Sequence, residues 1–326
     1  MTVFITGGAG FIGSFLSERL LDDGHEVSIL DDLTTGSIAN IDHLIGRAGF
    51  QYKIGSVMDS PLVAEMVDRC DVTVHLAAAV GVRLIVERPV HTIETNVHGT
   101  EVVLNAVSRK QKPVLLASTS EVYGKNAKVP FTESDDLVLG PTSHSRWAYA
   151  CSKALDEWLA LAYVRERNLP VTVVRFFNTV GPRQTGRYGM VLPTFAAQAL
   201  RGDPITVYGD GTQSRCFGHV QDAVKAVALL LENPDKAVGE VFNVGSDEEV
   251  TINELAERVR DAAGSDSPIR HVEYAEAYTE GFEDMMRRVP DVSKLERVVG
   301  YRPSTPLAQI IRDVLEYQRD RLGIPA

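Results

Sequence analysis

Val3-Phe-Ile-Thr-Gly-Gly-Ala-Gly-Phe-Ile-Gly13 decides the fold. A short apolar run ends in a glycine-rich turn, and an amphipathic stretch, Ser14–Asp23, follows. The order strand, glycine turn, helix brings backbone N–H groups and a helix N-terminus to one point, as a pyrophosphate requires. A side chain at Gly7 or Gly10 would obstruct that approach, and Gly13 lets helix and strand pack closely. A glycine pattern alone is weak, because ordinary turns are also glycine-rich. Here Asp31 closes the next apolar run. An acid there can accept hydrogen bonds from the adenosine ribose and repels a 2′-phosphate, so NAD is expected over NADP. The competing reading of Asp31 is a turn cap, since Asp32 and Thr34 beside it are cap-like.

Outward from this stretch, apolar runs alternate with amphipathic ones. Val3–Thr6, Val27–Asp31, Val72–Ala78, Val114–Thr119 and Thr172–Asn178 read as strands covered on both faces. Ser14–Asp23, Pro61–Arg69, Thr95–Arg109 and Trp147–Arg167 read as the helices between them. This alternation predicts an α/β fold, a Rossmann-type doubly wound parallel sheet. Residues 1–180 are expected to form most of it. Residues 181–326 are expected to form a smaller substrate-binding lobe, with the chain returning to the sheet near 217–245. Helices are expected there at Val191–Arg201, Val220–Glu232, Ile252–Ala262 and Pro306–Arg321, and Gly181–Gly189 must be a loop.

Composition narrows the function. The 326 residues are 44% hydrophobic and 24% charged, with a formal net charge of −11. Nucleic-acid and membrane-surface roles favour basic surfaces and are disfavoured. A phosphate-bearing ligand therefore needs a local basic pocket. Cys70, Cys151 and Cys216 share no CxxC spacing and read as reduced thiols, and no histidine spacing suggests a metal. No apolar run is long enough to span a bilayer, and a cytoplasmic protein is expected.

Tyr149-Ala-Cys-Ser-Lys153 places a phenol and an ammonium on one helix face. A free tyrosine is a poor base at neutral pH, but a neighbouring ammonium favours the phenolate. Tyr149 could then take a hydroxyl proton as hydride leaves the same carbon. The spacing alone is common. It gains weight from the strand before it, whose Ser118, Thr119 and Ser120 lie where such sheets place their ligands.

With these motifs stand His75-Leu-Ala-Ala78, Asn96-Val-His-Gly-Thr100, Ser118-Thr-Ser-Glu-Val-Tyr-Gly124, Arg175-Phe-Phe-Asn-Thr-Val-Gly-Pro182, Val207-Tyr-Gly-Asp-Gly-Thr-Gln-Ser-Arg215 and Phe242-Asn-Val-Gly245. Together they resemble the extended short-chain dehydrogenase/reductases, the epimerase/dehydratase group, over essentially the whole chain. The resemblance implies that Gly7, Gly10, Phe11, Ile12, Asp31, Ala77, Ala78, Asn96, Tyr149 and Lys153 contact or support NAD. It implies that Thr119 bonds the hydroxyl being oxidised, that Asn178, Arg215 and Arg288 lie near a diphosphate, and that Tyr208 lies against uracil. One departure is Ser56, which follows Gly55 where the group often has an acid near adenine.

Such enzymes first oxidise C4 of a nucleotide-linked sugar. Dehydratases usually carry Thr-Asp-Glu, and here Ser120 replaces the acid. Thr119-Ser120-Glu121 resembles the UDP-glucuronate decarboxylases, as do Gly140–Tyr149, Gln213–Phe217 and Gly281–Pro290. Plant apiose synthases are also similar, but Val80 and Ser120 stand where those carry cysteines. The expectation is UDP-glucuronate decarboxylation, with Ser120 and Glu121 acting on the sugar. The alternative is a UDP-sugar 4-epimerase, and the different-class alternative is a non-catalytic NAD sensor or scaffold. A homodimer through Thr95–Arg109 and Trp147–Arg167 is implied by the same resemblance.

Overall fold

The computed structural model describes residues 1–81, 88–186, 189–273 and 285–324. Six strands lead into the central sheet: β1 (Thr2–Thr6), β2 (Glu26–Asp31), β3 (Phe50–Ile54), β4 (Val72–His75), β5 (Val114–Thr119) and β6 (Val171–Phe176). A seventh, Val241–Val244, completes the order seventh–β6–β5–β4–β1–β2–β3, and neighbouring strands run parallel. Chain direction across the sheet reverses between β1 and β4, where doubly wound sheets open a crevice at their carboxyl ends.

Strand periodicity explains the two layers. In β1, Val3 and Ile5 join the core under the helices Phe11–Asp22 and Val220–Glu232. Phe4, between them, joins the opposite core under Ser60–Asp68, Pro89–Lys110 and Arg146–Arg167. The three residues are fully buried, so β1 needs an unbroken apolar run.

The differences from expectation have local causes. β3 does not stand out in the sequence because it is an edge strand whose Gln51–Ile54 are exposed. β4 ends at His75 because Leu76 onward leaves the sheet to line the central cavity. The helix expected at Thr95–Arg109 begins at Pro89, where a proline suits the first turn.

The remaining chain builds a second core from Val191–Arg201, Ile252–Ala263 and Leu307–Leu322. Thr251 and Glu254 start the middle helix with a reciprocal capping box. Beside this core a small sheet has Ser214–Cys216 at its centre, antiparallel to Glu249–Thr251 and parallel to Arg287–Arg288. Its register sets Arg288 beside Arg215.

Candidate active site

The glycine turn is compact for steric reasons. Gly7 has φ +74°, and a Cβ there would meet the Ala77 backbone nitrogen at 2.8 Å. A Cβ on Gly13 would lie 2.2 Å from the Gly7 carbonyl oxygen. Both positions therefore demand glycine before any ligand is considered. No side chain caps the helix that begins at Phe11, so its first N–H groups have no intrahelical or capping partner. Phe11 and Ile12 line the cavity that those groups face.

Asp31 ends β2 and is buried. Its Oδ2 accepts from Ala9 N at 2.9 Å and its Oδ1 from Leu33 N at 2.8 Å. Gly10 N–H adds a third backbone donor, and a carboxylate with about four acceptor sites can still take a ribose hydroxyl. Burial raises its pKa above the ordinary value, while the Leu33 and Ala9 N–H groups pull the other way. Asp31 is thus a turn cap that also lines the cavity.

Ala77 and Ala78 line the cavity, as do Gly7, Gly10 and Gly13. Asn96 is different. It is buried, and its Oδ1 accepts from Ala79 N at 2.8 Å while its Nδ2 donates to Ser152 at 3.2 Å. It braces the loop after β4 against the Tyr149 helix. Thr6 Oγ1 contacts His75 Nδ1 at 2.7 Å and accepts from Ala77 N at 3.3 Å, tying the same loop to β1.

Thr119, Ser120, Glu121, Tyr149 and Lys153 share the cavity wall. Thr119 ends β5, and its hydroxyl accepts from Glu121 N at 3.3 Å, which turns the chain sharply. Burial, with the carboxylates of Glu121 and Asp156, pushes the Tyr149 phenol well above its ordinary pKa; the Thr119 hydroxyl and Arg146 oppose this. The Lys153 ammonium donates to Asp156 Oδ2 at 2.8 Å, and both side chains are buried.

Beside Thr119, two guanidiniums converge on Glu121. Arg146 Nη1 bonds Oε2, and Arg288 Nη1 lies 3.6 Å from Oε1. Arg146 was not singled out from the sequence. Its signal is positional: three residues before Tyr149, it shares that residue's helix face.

Segments that follow β6 close the cavity, whose volume is about 890 Å³. Asn178, Tyr208, Arg215 and Arg288 all line it. Asn178 Nδ2 donates to Cys216 O at 3.2 Å, and Arg215 Nη1 donates to Ser214 O at 2.8 Å, fixing both. Tyr208 is partly exposed at the cavity rim. His91 and Thr95 also line it and carry no sequence motif, and Gln213 lines it from within the Val207–Arg215 motif. Part of Gly281–Pro290 lies outside the described residues. Among the described residues no His, Cys, Asp and Glu cluster suits a metal.

A dinucleotide fits these residues: an uncapped helix N-terminus, a carboxylate one strand away and a phenol–ammonium pair share one cavity. Residues 3–245 match the model of the NAD dependent epimerase/dehydratase family. The chain is 42% identical to the UDP-N-acetyl-alpha-D-glucosaminuronate decarboxylase of Bacillus cytotoxicus, covering 97% of each. It is 34% identical to UDP-glucuronic acid decarboxylase 1 of Xenopus tropicalis, over 98% of this chain and 72% of that one. The fold superposes on a Thermotoga maritima UDP-glucose 4-epimerase with TM-score 0.88 at 28% identity, covering 99% of this chain and 100% of that one. The chain belongs to the NAD-dependent epimerase/dehydratase family, and NAD is its cofactor.

Proposed function

We propose that the protein decarboxylates a UDP-linked uronic acid after oxidising its C4. One observation carries this reading: Arg146 and Arg288 converge on Glu121 directly beside Thr119, and a serine, not an acid, stands between Thr119 and Glu121. Paired guanidiniums suit a sugar that bears a carboxylate. A dehydratase would need an acid at Ser120 to expel water. The decarboxylase names of the two relatives support the same reading.

NAD, when bound, would accept hydride from C4 and give it back once carbon dioxide has left, with the Tyr149 proton returning to the C4 oxygen, so that a pentose forms with no net oxidation. Tyr149 takes the proton from the C4 hydroxyl, and Thr119 orients that hydroxyl. Oxidation makes the sugar a β-keto acid. Carbon dioxide then leaves from C6, and its bonding pair passes into the C5–C4 enolate, whose oxygen Tyr149 and Thr119 hold. Glu121 manages the proton that C5 must gain. Arg146 and Arg288 orient the carboxylate, while Asn178 and Arg215 bind the diphosphate and Tyr208 the base. Gly7, Gly10, Phe11, Ile12, Gly13, Asp31, Ala77 and Ala78 hold the cofactor, with Asn96 supporting them.

The same reading extends to assembly. The helices Pro89–Lys110 and Arg146–Arg167 pack together and expose Val90, Ile93, Leu155 and Trp158 at 67%, 44%, 45% and 58%. Such a patch suits a two-fold interface with a second copy. Light scattering should give twice the chain mass; a monomer would remove this part. No described helix is long and apolar enough to cross a membrane. The three free thiols favour the cytoplasm.

The test is a proton NMR time course with NAD and three substrates: UDP-glucuronate, its 2-acetamido counterpart and UDP-glucose. Loss of the C5 proton pattern with growth of a pentose spectrum from either acid supports the reading. Inversion at C4 with every carbon kept would replace it with 4-epimerisation.

A further inference from the structure

The Lys153–Asp156 pair is not what YxxxK chemistry alone would place here. On a helix surface an i,i+3 ion pair is weak, because water screens both charges. Here the Lys153 and Asp156 side chains are 3% and 0% exposed. Asp156 Oδ2 takes the ammonium at 2.8 Å, and the Thr100 hydroxyl stands on the same carboxylate. Burial raises the Asp156 pKa and the Lys153 ammonium is the chief influence against it, so each buried charge depends on the other.

The neighbouring acid cannot substitute for it. Glu157 is taken up by Arg175, whose Nη2 lies 2.7 Å from Oε2, and by the Ser118 hydroxyl. Tyr149, Lys153 and Asp156 follow at intervals of four and three, which puts all three on one face.

We propose that Asp156 is a positioning residue for the catalytic pair: it clamps the Lys153 ammonium and cancels part of its pull on Tyr149. The phenol consequently stays protonated until further positive charge arrives in the cavity. The inference rests on Tyr149 being the base, not on which sugar reaction follows.

The surroundings are consistent with this. From the helix Pro89–Lys110 the Thr100 hydroxyl lies close to Asp156 and eases its charge. From β4 comes His75, whose pKa falls to about 3 through burial and then the Lys153 charge. It is neutral and cannot compete for the ammonium. From the turn after β5 comes Glu121, and from the Tyr149 helix itself come Arg146 and Glu157. Glu121 acts on Tyr149 in the same sense as Asp156, and Arg146 in the opposite sense.

The experiment follows Tyr149 directly. Holoenzyme carrying tyrosine labelled with carbon-13 at Cζ is titrated by NMR, and the Tyr149 resonance is assigned by its loss in Tyr149→Phe. Asp156→Asn, which is isosteric, should lower the pH of the Tyr149 transition by about one unit. Lys153→Met should raise it. The Lys153→Met/Asp156→Asn double variant, which buries no ion pair, should fall between them near the wild type. An unmoved transition in a folded Asp156→Asn protein would overturn the proposal. So would a double variant that titrates like Lys153→Met alone, and this arm decides the matter if the Asp156→Asn protein does not fold. Carbon dioxide release is not read, so failure of the decarboxylase assignment would leave this result standing.

Discussion

Arg288 Nη1 lies 3.6 Å from Glu121 Oε1, while the other oxygen of that carboxylate is held by Arg146. This distance is longer than a hydrogen bond, and both residues line the cavity that a substrate carboxylate would enter. Arg288→Ala should cut carbon dioxide release by about 10²–10³-fold, the usual cost of losing one charged donor at a reacting group. NAD affinity, read by calorimetry, should not change. A variant that loses both in proportion would show that Arg288 only holds the fold.

Asp31 gives a prediction with a sign. Its folded-state pKa is raised, chiefly by burial. Ribose hydroxyls donate to a carboxylate, so NAD affinity should weaken as pH falls through that raised value, at a higher pH than an ordinary aspartate would allow. Asp31→Asn should bind NAD more weakly at neutral pH and lose this dependence. Calorimetric titrations from neutral to mildly acidic pH provide the check. An affinity that stays level in the wild type would remove Asp31 from the ribose.

How much was legible beforehand depended on how local each feature is. The strand–glycine–helix turn and Tyr149xxxLys153 lie within a dozen residues each, and one periodicity reads them. The Arg146–Glu121–Arg288 cluster joins three distant segments. Arg288 enters it from a two-residue strand, too short for any pattern. Asp156 was illegible for another reason: a Lys–Asp pair three apart on a helix usually marks a solvated face, and only the packing of α-helix on α-helix turns this one inward. β3 escaped notice because an edge strand need not alternate. Asn96, read from resemblance as a cofactor neighbour, reaches the site through Ala79 and Ser152.

His75 carries a pH effect on stability. It is fully buried between Thr6 and Thr100, and burial lowers its pKa from 6.5 to about 3. The unfolded chain therefore binds a proton that the folded chain refuses. Stability is complete above the unfolded value and is lost as pH falls from 6.5 toward about 3, by up to about 1.4 kcal/mol per unit. Urea unfolding at several pH values should show this slope. His75→Asn should flatten it, and an unchanged slope would mean that other groups dominate acid unfolding.

Arg175 and Glu157 brace the strand ends that carry Thr119. Arg175 Nε and Nη2 reach Glu157 at 2.9 and 2.7 Å, and the Arg175 guanidinium lies over the Tyr123 ring at 4.8 Å. Tyr123 in turn donates to Asn243 on the seventh strand at 2.8 Å. Both partners of the ion pair are buried, so removing one leaves an uncompensated charge beneath β5 and β6. Glu157→Ala should destabilise the protein by about 3–5 kcal/mol, measured by denaturant unfolding. Replacing the pair together, Glu157→Leu with Arg175→Met, should recover much of that loss, because the desolvation penalty then vanishes along with the attraction. If the double variant is no more stable than Glu157→Ala, the hydrogen bonds from Arg175 to the Glu133 carbonyl and from Ser118 to Glu157 matter more than the charges do.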